Sequence, residues 1–330
     1  MPLLSRRVHA PEARPREGRE KNARYEIAGE ATRRDGGGTA SPLALPPWPG
    51  AAGRVRRSGF FSICANPRCR SGWLQLWRNP VPVFEGGWCC SAPCTLTRVQ
   101  AALAREMDGR GSAIEAHRHR IPLGLAMLEQ GWITEENLRG ALLAQRSAGS
   151  GRLGWWLKRQ HLASESLVTR ALGLQWGCPV LSLEACKPDG LTALVPRFFV
   201  DAFGALPLRV AAGKILYLGF EDRLDPALAL AVERITGLRV ESGLVEESQF
   251  RPAHTRTLAA GFPPAELIEA AAEPALAVAL AAAVERTDAV EARLVRVHDC
   301  IWLRLWLRPQ NGPLPELTSV LDLIGSTAAH

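Results

Sequence analysis

The sequence predicts an α+β protein: two tandem helical hairpins packed on a small, βαβ-like α/β subdomain, with an N-terminal four-cysteine module like a zinc ribbon and a C-terminal helix plus β-hairpin. Three observations predict this. The stretch Pro122 to Gln145 recurs thirty residues later as Arg152 to Gln175, with seven identities in twenty-four aligned positions. Two close cysteine pairs stand about twenty residues apart near residue 80. Between 206 and 245 the chain reads strand, strand, capped helix, strand. The expected divisions are a tail (1–58), a metal module (59–96), a helix and linker (97–117), the tandem repeat (118–176), the α/β subdomain (177–252) and C-terminal helices with a hairpin (253–330).

The tail carries most of the formal charge of +7, since residues 1–58 hold twelve Lys or Arg against six Asp or Glu. The remainder is close to neutral, so the folded part is not expected to present a nucleic-acid surface. Arg and Glu alternate in the tail before it turns Gly- and Pro-rich, and without a hydrophobic period it is expected to be disordered. Arg6 and Arg7 interrupt the apolar start, which excludes a signal-peptide core. No apolar run reaches the roughly eighteen residues of a membrane span. The expectation is a cytoplasmic protein.

In the metal module, Cys64 and Cys69 enclose a tight-turn sequence, and Cys90 and Cys94 enclose three residues. Two such turns can aim four sulfurs at one tetrahedral ion, so Cys64, Cys69, Cys90 and Cys94 are the expected ligands of a structural zinc. By spacing alone, Cys89 can replace Cys90. Reduced core cysteines are the other reading. The segment between the pairs alternates enough to form strands holding both turns. Leu96, Val99 and Leu103 then have helical spacing, with a linker after Asp108. His117 and His119 lack the thiol or carboxylate company of a metal site.

Each repeat copy has the same grammar. Leu123, Met127 and Leu128 in the first, Leu153, Trp156 and Leu157 in the second, predict a short helix. Gly131 can close it in a left-handed conformation, and His161 takes that place in the second copy at a cost of about 1 kcal/mol. Thr134 and Ser164 are N-cap residues with Glu135 and Glu165 in the first turn of a second helix. Core faces follow at Leu138, Ala141, Leu142 and at Val168, Ala171, Leu172, and each copy ends on a Gln. A flexible link is expected over 146–151.

Beyond the repeat, strands are expected at 206–210 and 215–220. Asp225 caps a helix with Pro226 at its first position and Gly237 past its end, and strands return at 238–240 and 244–245. Cys178 and Cys186 are expected to behave as apolar residues. Residues 265–286 look like an Ala-rich helix broken at Pro274. Residues 289–297 and 301–307 predict a hairpin whose second strand sets Ile301, Leu303, Leu305 and Leu307 on one face, Trp302, Arg304, Trp306 and Arg308 on the other. That Trp/Arg face is either a contact surface or an arginine stack covering tryptophan within the fold. The last twenty residues look like a loose end.

The doubled pattern resembles the N-terminal domain of type II secretion and type IV pilus assembly ATPases. It consists of Leu-Gly, then Gly seven residues on, then Ala-Leu followed three residues later by Gln. In the MshEN-type branch of that family, the tandem motif binds cyclic di-GMP. The resemblance implies that Leu123, Gly124, Gln145, Arg152, Leu153, Gly154 and Gln175 contact this ligand, with an Arg before each Leu-Gly to stack on guanine. Arg152 matches. Pro122 stands where the first copy would have its Arg.

Chemistry is excluded as clearly. None of the four lysines precedes Ser or Thr, so the phosphate loop of the ATPase engine is missing, and no nucleophile elbow, HExxH or Rossmann fingerprint appears. The expectation is a non-enzymatic adaptor that contacts a protein of a secretion or pilus system, including a separate ATPase, with cyclic di-GMP reception as the alternative.

Overall fold

The computed structural model describes residues 63–70, 81–108, 120–183 and 190–327. The expected tail, residues 71–80 of the segment expected to form strands between the cysteine pairs, most of the linker with His117 and His119, and Cys186 lie outside those residues.

β1 (Val83–Phe84) and β2 (Gly87–Trp88) form a minimal antiparallel hairpin. Its two turn residues, Glu85 and Gly86, have φ of 47° and 70°, the left-handed pair of a type I′ turn. α1 (Ala92–Asp108) follows at once and buries Val99, Ala102 and Leu103 at helical spacing. The second cysteine pair is therefore not held in a turn between strands, as a zinc-ribbon-like module would have it. Cys90 follows the hairpin and Cys94 lies in the first turn of a helix.

The repeat comprises α2 (Leu123–Glu129), α3 (Glu135–Ala148), α4 (Leu153–Arg159) and α5 (Glu165–Trp176). Gly131 and His161 close the short helices at φ of 67° and 56°. Thr134 Oγ1 accepts from Asn137 N at 3.2 Å and Ser164 Oγ from Leu167 N at 3.3 Å, so α3 and α5 start alike. α3 runs past Gln145 to Ala148 because 146–148 contain no breaker, and Gly149 ends it at φ 64°. The link between copies is thus shorter than 146–151. Met127, Ile133, Ala141, Leu157, Val168 and Ala171 form a small core of their own.

Next come α6 (Arg197–Phe203), β3 (Leu206–Ala211), β4 (Ile215–Phe220), α7 (Pro226–Thr236), β5 (Arg239–Leu244) and α8 (Glu247–Ala259). The sheet order is β3-β4-β5, antiparallel then parallel, with α7 as the crossover. Asp225 Oδ1 caps α7 at Leu228 N (2.9 Å), and Gly237 closes it at φ 72°. β5 is one strand rather than two fragments. Gly243 permits this, since a Cβ there would lie 2.7 Å from Pro179 O on the adjoining segment.

The C-terminal part departs most from expectation. Residues 265–270 are a strand, β6 (Ala265–Ala270), and Pro274 starts α9 (Glu273–Arg286) rather than breaking a helix. β7 (Glu291–Val297) and β8 (Cys300–Trp306) form the hairpin, and the supposed loose end contains β9 (Val320–Thr327). β9 inserts between β6 and β8, giving the order β6-β9-β8-β7 with only β6 and β9 parallel. Hydrogen bonds on both edges make it a sheet interior.

The two interior strands, β8 and β9, are buried on both faces, whereas β6 is mostly exposed. Ile301, Leu303, Leu305 and Leu323 pack with α1 and α9 through Val99, Leu103, Leu276 and Leu280. Trp302, Trp306, Val320 and Ile324 pack with Phe199, Leu216, Leu228 and Ile235 of the α/β subdomain. The Trp/Arg strand face is accordingly no contact surface: Trp302 is 0% and Arg304 1% exposed. Arg304 tolerates burial because Asp322 Oδ1 and Oδ2 each accept from it at 2.7 Å and Leu194 O at 3.1 Å.

Candidate functional site

The two repeat copies are knitted by reciprocal contacts. Gln145 Nε2 donates to Gly151 O at 2.7 Å, just before the second Leu-Gly, and Gln175 Nε2 to Ile121 O at 2.8 Å, just before the first. The glycines are required where the copies meet. A Cβ on Gly124 would lie 2.5 Å from Leu138 Cδ1 and 3.1 Å from Leu153 Cδ2, and one on Gly154 would lie 2.8 Å from Val168 Cγ1 and 3.3 Å from Leu123 Cδ2. Each motif leucine therefore fills the space left by the other copy's glycine.

A cleft of about 720 Å³ opens beside the second copy, between α4, α5 and the loop after β4. Leu123, Arg152, Leu153, Gly154 and Gln175 line it; Gly124 and Gln145 do not. Trp156 adds an aromatic wall and is held by its indole N–H to Ser150 O at 3.0 Å. Arg152, preceding α4 at its N-cap position, is 74% exposed at the side chain and paired with Asp222. Lys158 Nζ lies 2.5 Å from Glu247 Oε2, and Arg251 bridges Glu221 (3.1 Å) and Glu247 (2.5 Å).

These ion pairs set the electrostatics. The hydrogen bond from Lys158, outweighing the opposing effect of burial and joined by the Arg251 charge, holds the Glu247 carboxyl below its ordinary range. The nearby Glu221 charge raises the Arg251 guanidinium. Four cations (Arg152, Lys158, Arg159, Arg251) face three carboxylates (Glu221, Asp222, Glu247), which leaves a slight positive excess. On the first copy, Pro122 precedes α2 and offers no cation, while the nearby Arg120 guanidinium sits 3.4 Å from the centre of the Trp176 ring. The carboxylates come from a different subdomain, so repeat spacing alone does not reveal them. The Trp155-Trp156 pair after the motif was the one sequence signal of an aromatic wall.

The cysteines form a second constellation. The Sγ atoms of Cys64, Cys69, Cys90 and Cys94 all lie within 4.8 Å of one another. Cys69 and Cys90 are 3.5 Å apart, Cys90 and Cys94 3.7 Å. Cys89 is buried apart from this group, its sulfur 4.0 Å from Gly87 O. Asn66 Nδ2 donates to Cys94 Sγ at 3.3 Å.

Comparison with known proteins adds the following. Residues 176–260, covering the α/β subdomain, match the family described as the MshEN domain. Bacteriophage adsorption protein B of Escherichia coli (strain K12) is 35% identical over 130 residues, 39% of this chain and 17% of that protein. Type IV pilus assembly ATPase PilB of Thermus thermophilus is 31% identical over 131 residues, 39% of this chain and 14% of that protein. The chain thus spans less than a fifth of these relatives. A solved structure of MshE with cdg aligns at 26% identity and a TM-score of 0.33, over 42% of this chain and 99% of that one.

Proposed function

From an MshEN domain at residues 176–260, related to the N-terminal domains of secretion and pilus ATPases, we propose a non-enzymatic regulatory protein. It binds cyclic di-GMP in the cleft beside the second repeat copy and acts by protein contact. The observation that carries this reading is the cleft itself, where Arg152, Leu153 and Gly154 share a wall with Trp156.

The chemistry suits a purine carrying phosphates. A guanidinium plane stacks on guanine and attracts phosphate, and an indole supplies a flat apolar surface. Arg152 must first leave Asp222, but an exposed pair is worth at most about 1 kcal/mol, so release costs little. One stacking cation in place of two forfeits about 1–2 kcal/mol, or a little over tenfold in affinity. Binding is therefore expected to be weaker by about that factor than in a site with both cations.

Calorimetry of the full chain at fixed salt tests this. Wild type is expected to bind, Arg152→Ala to lose binding, and Asp222→Ala to bind more tightly by freeing the arginine. A folded wild type that stays silent at high micromolar ligand would sink the receptor reading.

The cleft's ion pairs favour a second reading, in which the repeat is a docking scaffold alone. Arg152, Lys158 and Arg251 each already have a carboxylate partner. The partner would be a protein of a secretion or pilus system, a separate ATPase among the candidates. No helix among the described residues is long and apolar enough to cross a membrane.

A further inference from the structure

We infer that Cys64, Cys69, Cys90 and Cys94 hold one zinc ion, and that this ion fastens the N-terminal cysteine segment and α1 onto the four-stranded sheet. This inference stands apart from the ligand reading of the repeat.

Geometry comes first. Four sulfurs at about 2.3 Å from a tetrahedral ion are about 3.8 Å from one another. The separations of 3.5 and 3.7 Å, with every other pair inside 4.8 Å, enclose a single ion. A sulfide-bridged iron cluster needs its thiolates further apart. Soft sulfur ligands in a tetrahedral set suit zinc, and elemental analysis separates it from a single iron, which the same four thiolates can hold.

Polar donors and a helix N-terminus surround the sulfurs. Cys94 sits in the first turn of the 17-residue α1, where the helix dipole favours negative charge, and Asn66 donates to its sulfur at 3.3 Å. Arg98 donates to Phe84 O at 3.2 Å and Ala65 O at 3.5 Å, tying hairpin and first turn to the helix and adding a positive charge nearby. Gly87 lets the first turn lie flat on the hairpin, since a Cβ there would meet Ala65 Cβ at 2.4 Å.

The coupling to the sheet is equally direct. Val83 N donates to Ala289 O at 2.9 Å and Glu85 N to Ala292 O at 2.7 Å, so the hairpin covers the β7 edge. Cys90 and Cys94 share one apolar cluster with Leu276, Leu280 and Leu303. An ion at the sulfurs therefore anchors the layer that covers the sheet.

The test uses the full chain purified under reducing conditions. Elemental analysis is expected to find about one zinc per chain, retained by Cys89→Ala and lost by Cys69→Ser. Cobalt(II) added to metal-free wild type should give the visible spectrum of a tetrahedral tetrathiolate, which keeps the test decisive even where a variant folds poorly. Removing the metal should lower Tm by about 5 °C or more, an effect of a few kcal/mol at this chain length, with recovery on adding zinc. Iron in place of zinc, disulfides among the four cysteines, or zinc retained by Cys69→Ser would overturn the site. An unchanged Tm after metal removal would overturn the coupling.

Discussion

The Gln175 side chain reaches back fifty-four residues to the Ile121 carbonyl, and Gln145 makes the corresponding bond to Gly151. Each copy's final residue thus clamps the entry of the other copy's first helix. Gln175→Ala is expected to destabilise the chain by about 1 kcal/mol, because the exposed carbonyl regains water and only the net value of a hydrogen bond is lost. Urea unfolding measures it, and a shift above about 3 kcal/mol would mean the clamp holds more than one bond.

Two glycines in the repeat should respond in opposite ways. Gly154→Ala pushes a methyl to 2.8 Å from Cγ1 of Val168, a stiff β-branched side chain, and should cost about 1–3 kcal/mol. Gly140, mid-helix in α3 with open space around it, should gain about 0.5–1 kcal/mol on becoming Ala. Paired thermal melts test both, and equal effects would refute the interlocking of the copies.

The buried Arg304–Asp322 pair offers the largest single effect. Asp322 also accepts from Trp302 Nε1 at 2.8 Å, so Asp322→Ala strands both a guanidinium and an indole N–H. A loss of about 3–5 kcal/mol is expected in chemical denaturation, while the double variant Arg304→Met with Asp322→Leu should cost less than the single one. A double variant as unstable as the single would show that the pair itself stabilises the fold.

How much of this was legible in the sequence depends on where each signal resides. Asp225, Pro226 and Gly237 announce α7 because capping is local chemistry. β9 was hidden because its buried Asp322 and Gly325 interrupt the apolar pattern, and each makes sense only against a distant partner, Arg304 and Leu276. β6 reads as helix in the sequence because its Ala and Glu residues favour helix, whereas its pairing with β9 decides otherwise. Alternation along β8 showed a strand but not that both faces are covered. The cysteine pairs announced themselves by spacing, yet only the fold separates Cys89 from Cys90. Asp222 and Glu247 enter the cleft from another subdomain, beyond the reach of motif reading.

Acid should weaken the contact between α1 and the rest of the chain. Burial alone would raise the Glu106 carboxyl, but the hydrogen bonds and charge of Arg234 prevail, helped by Arg105 and the Arg296 N–H, and hold it below its ordinary range. A depressed carboxyl contributes stability that is present above its unfolded value and lost as pH falls through its folded one. Glu106→Gln should therefore flatten the acid limb of a stability-against-pH curve. An unchanged acid limb would assign the effect to other carboxylates.

The position of β9 governs when the molecule can finish folding. A ribosome makes the cysteine segment early, yet that segment rests on a sheet of which one interior strand, β9, is made more than two hundred residues later. The cysteine layer rests on α9 and β7, and β9 completes the sheet to which these belong by long-range pairing, a slow kind of step. Were the four sulfurs to hold the inferred ion, its capture would mark a late step of maturation rather than its beginning. Stalled nascent chains ending before residue 320 should leave all four thiols open to alkylation, and protection at that stage would show that the cysteine turn closes unaided.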